Sequence, residues 1–593
     1  MIKDFLEWID HRTGYRRIKD EVLFENIPGG ARWRYVWGST LTFCFFTQVV
    51  TGFFLWMSYS PSAQTAWESV YYIQYQMSGG WFLRGVHHYI AQIFPVLLVL
   101  HLMQVVIDGA YKAPREINFW IGIFLAHLIL AMSLTGYLLP WDQKGYWATK
   151  VATNIAAIAP IIGPYLQRLI VGSAEYGHHT LTRFFALHAG VLPVTVGILL
   201  AGHIYVFRRH SLTYKKPTSK PDAAFWPDQI LKDAVACMAV LITVLFFVLR
   251  HHGAELGAPA DPSESYSAAR PDWYFLFLFQ ALKLVPEIWG AFILPGLLIT
   301  LVLLMPIAGR WELGHRFNIG LVASVLVAVV LLTYQALNND WNDEKYFKAV
   351  AQAQVDAQRV KVLANSPNGI PPSGAVTLLR NDPFTQGSKL FAKNCASCHR
   401  FDGNDGTGKR ITEKPTASDL NGFASRQWLK GFLDHEKIAS EHYFGGTRFK
   451  EGKMAKWLKK KLPKYDDDQK EDLRKAVIAL SAQAQLPYQR AEEAKDRKII
   501  EEGRSLISDD IGCTDCHQFL LEDEEAIAPD LTGYGSRDWM IAIISDPSHD
   551  RFYGKKNDDM PAFGRDEKLT LREIEIIADW LRRDWYEAGS EEE

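Results

Sequence analysis

Residues 80–102, GWFLRGVHHYIAQIFPVLLVLHL, and residues 181–203, LTRFFALHAGVLPVTVGILLAGH, decide the fold. Each is apolar over the roughly 20 residues that a helix needs to cross the hydrocarbon core of a membrane. Each also carries two histidines: His87 and His101 in the first, His188 and His203 in the second. Imidazoles are costly in a lipid-spanning helix and usually have a task there. At 100° per residue, the interval of 14 in the first stretch turns the side chain about −40° and the interval of 15 in the second about +60°. Each helix therefore shows both histidines on one broad face, roughly 21–23 Å apart along its axis. Side by side and antiparallel, the two helices bring His87 level with His188 and His101 level with His203.

Two imidazoles at each of two levels fit two bis-His haems stacked across a bilayer. Interhelical hydrogen bonding could occupy any single histidine, His88 or His127 included, but it does not account for matched spacing in two helices. The glycines give an independent check. Gly38 and Gly52, and likewise Gly122 and Gly136, repeat the His87-to-His101 interval in two further apolar stretches. Glycine lets a flat ring approach the backbone closely. Arg84, Arg115 and Arg208 fall at the ends of these stretches, where guanidinium groups would pair with haem propionates.

Working outward, the 593 residues divide into two compositions: residues 1–340 hold 46 charged side chains, and residues 341–593 hold 84. The chain is thus a membrane half joined to a soluble half. An apolar content of 48% with 19 Trp, 24 Tyr and 33 Phe excludes intrinsic disorder, and a net charge of −2 disfavours a nucleic-acid partner. Charge-poor windows at 35–67, 85–107, 117–141, 184–207, 234–249, 288–309 and 317–339 predict seven spans, all helical. Residues 151–167 are uncharged too, but Pro160, Gly163 and Pro164 predict a surface-lying loop with short helices.

Positive residues set the orientation. Lys3, Arg12, Arg16, Arg17, Lys19, Arg32 and Arg34 precede the first span. Lys112 with Arg115, then Arg208, Arg209, Lys215, Lys216 and Lys220, then Arg310 with Arg316 mark loops of the same side. The loop at 59–80 has no Lys or Arg before Arg84. This places the N-terminus in the cytoplasm and, after an odd number of spans, everything beyond residue 340 outside it.

The pattern resembles cytochrome b of the quinol-oxidising cytochrome bc complexes over roughly residues 25–340. The stretches that carry the resemblance are GWFLRGVHH (80–88), KAPREINFW (112–120), GYLLPWDQKGYW (136–147), LTRFFALH (181–188) and PDWY (271–274). The His188-to-His203 interval, PWD at 140–142 and a count of seven spans are similar to the plastid b/f version, in which the four-helix and three-helix parts are separate chains. The resemblance implies that His87 and His188 hold a low-potential haem, and His101 and His203 a high-potential one. It also implies an outer quinol-oxidising site at Pro271, Asp272, Trp273 and Tyr274, where a carboxylate is a sensible proton acceptor, and an inner quinone site near Arg208. Asp272, where Glu is commoner, looks like versions that use menaquinol. Cys44 falls where some bacterial relatives attach a further haem by a single thioether; a buried packing cysteine reads equally well. Cys237 is expected to be structural.

The soluble half carries Cys395-Ala-Ser-Cys398-His399 and Cys513-Thr-Asp-Cys516-His517, two CxxCH motifs for covalent c-type haems. They sit in a direct repeat, ASDLNGFASRQWL (417–429) against APDLTGYGSRDWM (528–540). Amphipathic helical stretches follow at 468–480 and 570–581. This resembles class I cytochrome c, with His399 and His517 as axial ligands. Met560, in DDMPAFG, and Met454, in EGKMAKW, are the candidate sixth ligands; His435 and His442 compete with Met454.

The expected organisation is a cytoplasmic segment at 1–34, a four-span dihaem core at 35–226 and a three-span part with PDWY at 227–340. A linker follows at 341–383, a charged helix-like run and then NSPNGIPPSG, and after it cytochrome c domains at 384–485 and 495–590. The resemblance implies a homodimeric quinol:cytochrome c oxidoreductase of a prokaryotic energy-transducing membrane, in contact with membrane lipids. In that mechanism electrons bifurcate between the b haems and an iron–sulfur protein, with proton translocation. The cysteines outside CxxCH, Cys44 and Cys237, are solitary, so a Rieske protein is expected as a separate partner, and a soluble cytochrome c as acceptor. The rival reading is a non-bifurcating quinone-reactive anchor of a dehydrogenase, which PDWY and spans five to seven argue against. A plain electron conduit would oxidise no quinol.

Overall fold

The computed structural model describes residues 1–213, 221–520, 526–557 and 559–588. Lys215, Lys216 and Lys220 of the basic loop lie outside the described residues. The described chain is mostly helical, its one sheet being a two-residue antiparallel pair, Asn26–Ile27 with Ala223–Ala224. Asp222 reinforces that pair by accepting from Asn26 Nδ2 and from the Gly29 amide, both at 2.9 Å.

Among the described residues, seven helices are long and apolar enough to span a membrane: Trp33–Trp56, Gly80–Ile107, Glu116–Leu138, His178–His210, Phe225–His251, Trp289–Ala308 and Glu312–Trp341. Their lipid-type faces leave Phe53, Phe124, Ile198, Phe246 and Val330 exposed. The inward faces of the first five close on a core of Phe45, Ile90, Phe94, Leu97, Ile129, Val196 and Val244. Residues 143–157 and 163–171 form two short helices broken at Pro160, as the proline and glycine pattern predicts.

The fourth span is not uniform. A π-helical turn, Ala186–Val191, interrupts it and contains His188. A π-turn takes up one extra residue. The longer interval from His188 to His203 therefore presents the same face as the shorter interval from His87 to His101 in the second span.

The chain divides into two compact units, Met1–Val360 with Ile370–Val376, and Lys361–Gly369 with Thr377–Glu593. The stretch expected to be a linker is helical over Glu344–Ala364. Its run of Ala, Gln, Lys and Arg consists of good helix formers. Within the second unit, helix Pro383–Asn394 packs on Leu571–Leu581, and helix Asp467–Gln483 packs on Arg497–Ser505.

Candidate functional site

The two helices quoted first bring His87 and His188 together, with ring centroids 6.3 Å apart and planes at 74°. Hydrogen bonds fix which nitrogen each ring turns inward. The Thr51 hydroxyl already donates to Thr47 O at 2.7 Å, so it accepts from His87 Nδ1 at 2.9 Å. His188 Nδ1 donates to Met132 O at 3.0 Å, and His203 Nδ1 to Asn118 O at 3.1 Å. Each of these three rings therefore keeps Nε2 as a lone-pair donor, the second-sphere arrangement typical of metal-binding imidazoles. His101 Nδ1 is buried with no hydrogen-bond partner among the described residues.

Each histidine faces one of the four glycines. A Cβ at Gly38 would lie 3.7 Å from His101 Cε1, at Gly52 3.2 Å from His87 Cε1, at Gly122 3.1 Å from His203 Cε1, and at Gly136 2.5 Å from His188 Cε1. The matched glycine spacing thus makes room for the imidazole at each level. A centroid gap of 6.3 Å leaves room for a single ion between the two rings. The residues present fit an iron held between His87 and His188.

The three arginines have other partners here. Arg84 donates to Gln74 Oε1 at 2.7 Å, Ala254 O at 2.6 Å and Glu255 O at 2.7 Å, clamping the loop after span five. Arg115 donates to His210 O at 2.7 Å. Arg208 lies 3.6 Å from Glu25. Near that end, the buried Asp233 accepts from Ser39 Oγ at 2.7 Å and Gln229 Nε2 at 2.8 Å.

PDWY occupies the approach to a short apolar helix, Leu276–Leu284. Asp272 Oδ2 accepts from the Tyr274 hydroxyl at 3.1 Å and from Gln92 Nε2 at 3.2 Å. Gln92 Oε1 in turn accepts from Trp273 Nε1 at 2.9 Å, so one amide orients two of the four motif residues. Lys144 Nζ stands 4.0 Å from Asp272 Oδ1. Tyr137 belongs to the same neighbourhood, and its buried hydroxyl has no hydrogen-bond partner among the described residues. Asp142 of the PWD turn caps Gly145 N at 2.8 Å and reaches Gly257 N at 3.1 Å.

Tyr137, Gln92, Lys144 and Thr51 were not singled out from the sequence. Tyr137 and Lys144 lie inside GYLLPWDQKGYW, and Gln92 is a polar residue within an apolar span, which was a usable signal. Cys44 is fully buried among apolar side chains of the bundle, Phe45 and Ile90 among them.

In the second unit the two CxxCH histidines repeat one geometry. His399 Nδ1 donates to Ser418 O at 2.8 Å, and His517 Nδ1 to Pro529 O at 2.7 Å. Burial lowers the basicity of both imidazoles, keeping them neutral and able to ligate. It pushes the Cys395 thiol up to about 12 and the Cys513 thiol up to about 11. Trp428 Nε1 donates to Asp419 O at 3.0 Å, and its repeat equivalent Trp539 donates through Nε1 to Asp530 O at 3.1 Å. The acceptor carbonyls, the tryptophans and the open Nε2 positions fit two covalently attached haems. His435 stands beside Asp434 and Glu436, and His442 lies 3.9 Å from Asp419.

Residues 25–211 match the family model described as Cytochrome b/b6/petB, and residues 384–475 match that of Cytochrome c. The cytochrome b subunit of menaquinol:cytochrome c reductase from Geobacillus thermodenitrificans is 37% identical over 221 residues, 36% of this chain and 99% of the relative. The chain belongs to the cytochrome b family. Similarity to cytochrome b of Rhodobacter capsulatus extends over 314 residues at 31% identity, covering 50% of this chain and 71% of the relative. A solved chain titled Hyperthermophilic respiratory Complex III is similar at 24% identity with a TM-score of 0.47, covering 56% of this chain and 98% of its own.

Proposed function

We propose that this cytochrome b is the core subunit of a quinol:cytochrome c oxidoreductase that oxidises menaquinol beside Asp272 and works with a separate Rieske protein. The observation that carries the reading is the Asp272 carboxylate, held by Gln92 and Tyr274 in the same unit as the facing His87 and His188. Haem bound at the histidine pairs and at the CxxCH motifs would supply one-electron transfer.

The protein's own part is proton handling and positioning. Asp272 accepts a quinol hydroxyl proton, and the Gln92 amide keeps the carboxylate and the Trp273 indole in register. Lys144 offers a positive charge at the carboxylate's other oxygen. On the inner side, Asp233 and Arg208 are the groups available to a quinone that takes up protons. Aspartate in the PDWY motif and the naming of the Geobacillus relative support menaquinol as substrate. The positive-inside asymmetry supports proton release on the side that carries the c-type modules. By the same reading those modules replace a separate cytochrome as the route to a soluble cytochrome c, within a homodimer.

Purification of the intact complex tests this. An iron–sulfur EPR signal together with quinol-driven cytochrome c reduction is the expected result, and a preparation lacking the iron–sulfur signal overturns it. Haem stain retained after denaturation when Cys395, Cys398, Cys513 and Cys516 are all replaced would assign a thioether to Cys44; complete loss would assign Cys44 to packing.

A further inference from the structure

The two CxxCH modules repeat along the chain, yet they do not pack as they repeat. The helix leading into Cys395, Pro383–Asn394, lies against the last helix of the second module, and the helix leading into Cys513, Arg497–Ser505, lies against the last helix of the first. Both contacts are close. A Cβ at Gly387 would overlap Trp580, and one at Gly503 would come within 2.7 Å of Ala479 Cβ. Phe401, just after the first motif, packs on Trp580 with ring centroids 4.4 Å apart and planes tilted by 32°.

The side chains around each motif follow the same crossing. Cys395 borders a core of Phe391, Trp539, Phe563, Ile577 and Trp580, and Met560 borders that same core. Cys513 borders a core of Trp428, Tyr443, Leu480, Ile507 and Phe519. Phe432 and Leu433 flank this second core and also the small cluster of Ile438, Ala455 and Leu458 against which Met454 packs. The strands of chain cross where repeat-equivalent residues meet. Phe423 and Tyr534 lie 5.4 Å apart, and a Cβ at Gly535 would overlap that of Ala424. Both residues of that contact are left-handed, with φ of 63° at Ala424 and 73° at Gly535.

We propose that the two c-type haems occupy composite sites with exchanged ligands: the haem on Cys395 and Cys398 takes His399 and Met560, and the haem on Cys513 and Cys516 takes His517 and Met454. This rests on reading CxxCH as haem attachment. Exchange is cheap because repeated modules offer each half the same partner surface, and covalent linkage keeps the neighbour's half at high effective concentration. His435 and His442 then ligate neither haem.

The test uses the full-length protein with the second motif disabled, C513S/C516S, so that one c-type haem remains. Near-infrared magnetic circular dichroism reads its methionine–iron band. In this background Met560→Ala is expected to abolish the band and Met454→Ala to leave it intact. The reverse result, or loss in both or neither, overturns the exchange. Haem stain on the remaining motif reports separately on attachment, and its absence would overturn the haem reading itself. A second measurement needs no disabled motif. A protease site inserted between Ala494 and Lys495 of the otherwise unaltered protein is cut in membranes. The fragment bearing Cys513 is expected to stay with the membrane until denaturant is added; its release under native conditions overturns the exchange.

Discussion

A methyl group at Gly136 would lie 2.5 Å from His188 Cε1, nearer than a real Cβ contact. The same substitution at Gly38 would meet His101 at 3.7 Å, ordinary van der Waals distance. Overpacking a fixed core costs about 1–3 kcal/mol, and here the strain falls on a ring whose direction matters more than its stability. If the two histidine pairs each hold a b haem, as proposed, Gly136→Ala is expected to lose one of them and Gly38→Ala to keep both, with Gly52→Ala and Gly122→Ala between them. Pyridine haemochrome counts against protein, with a redox titration to show which step disappears, check the order. Full haem content in Gly136→Ala would refute the role given to that glycine.

Asp272 combines two donors on one oxygen with a cation 4.0 Å from the other. Removing its basicity without changing its shape isolates proton acceptance. Asp272→Asn is expected to lower quinol:cytochrome c reductase turnover by about 10²–10⁴, the usual range for a general base, while dithionite still reduces both b haems. Turnover within a few-fold of the parent would remove Asp272 from the chemistry.

Gln92 acts through its neighbours. Its amide donates to Asp272 and accepts from Trp273, so Gln92→Leu frees both without touching either. The expected signature is a fall in kcat with a shifted pH profile, partly restored by Gln92→Glu, whose carboxylate still accepts from the indole. A structural role alone would lower the amount of assembled complex and leave the pH profile of what remains unchanged.

The spans, the histidine pairs and the CxxCH motifs were legible because each is written in local spacing. The unequal histidine intervals were legible as numbers but not as geometry. Only the π-turn around His188 shows how one extra residue is absorbed, and no residue type announces such a turn. Tyr137 and Gln92 were hidden for a different reason. Their places are set by the approach of the 271–274 segment to the second and third spans, which are distant from it in the chain. The crossed packing of the c-type modules was illegible in principle. Duplicated modules carry the same interface residues, so one periodicity satisfies both the exchanged and the unexchanged pairing.

Arg582 offers the last test, because it fastens the two halves of that crossed arrangement. It is almost fully buried, at 4% exposure. One of its terminal nitrogens donates to Ala484 O at 2.5 Å and Gly535 O at 2.9 Å, and the other to Gln485 O at 3.0 Å. Three carbonyls from the end of the first module's last helix and from the crossing loop thus converge on one guanidinium at the end of the second module's last helix. Hydrogen bonds to a charged group contribute about 1.5–3 kcal/mol each, and buried acceptors left unpaired add to the loss. Arg582→Met keeps the stem and removes the donors, so it is expected to destabilise the module pair by roughly 3 kcal/mol or more. Arg582→Lys is expected to recover little, since an ammonium does not reproduce the planar fork. Guanidinium unfolding of the full-length protein, followed by its c-type haem absorbance, checks both. The expected change is a single transition at lower denaturant for both c-type haems together, because each haem lobe contains half of each module. Separate transitions, one shifted and one unmoved, would mean that Arg582 holds a single lobe and that the halves are not shared.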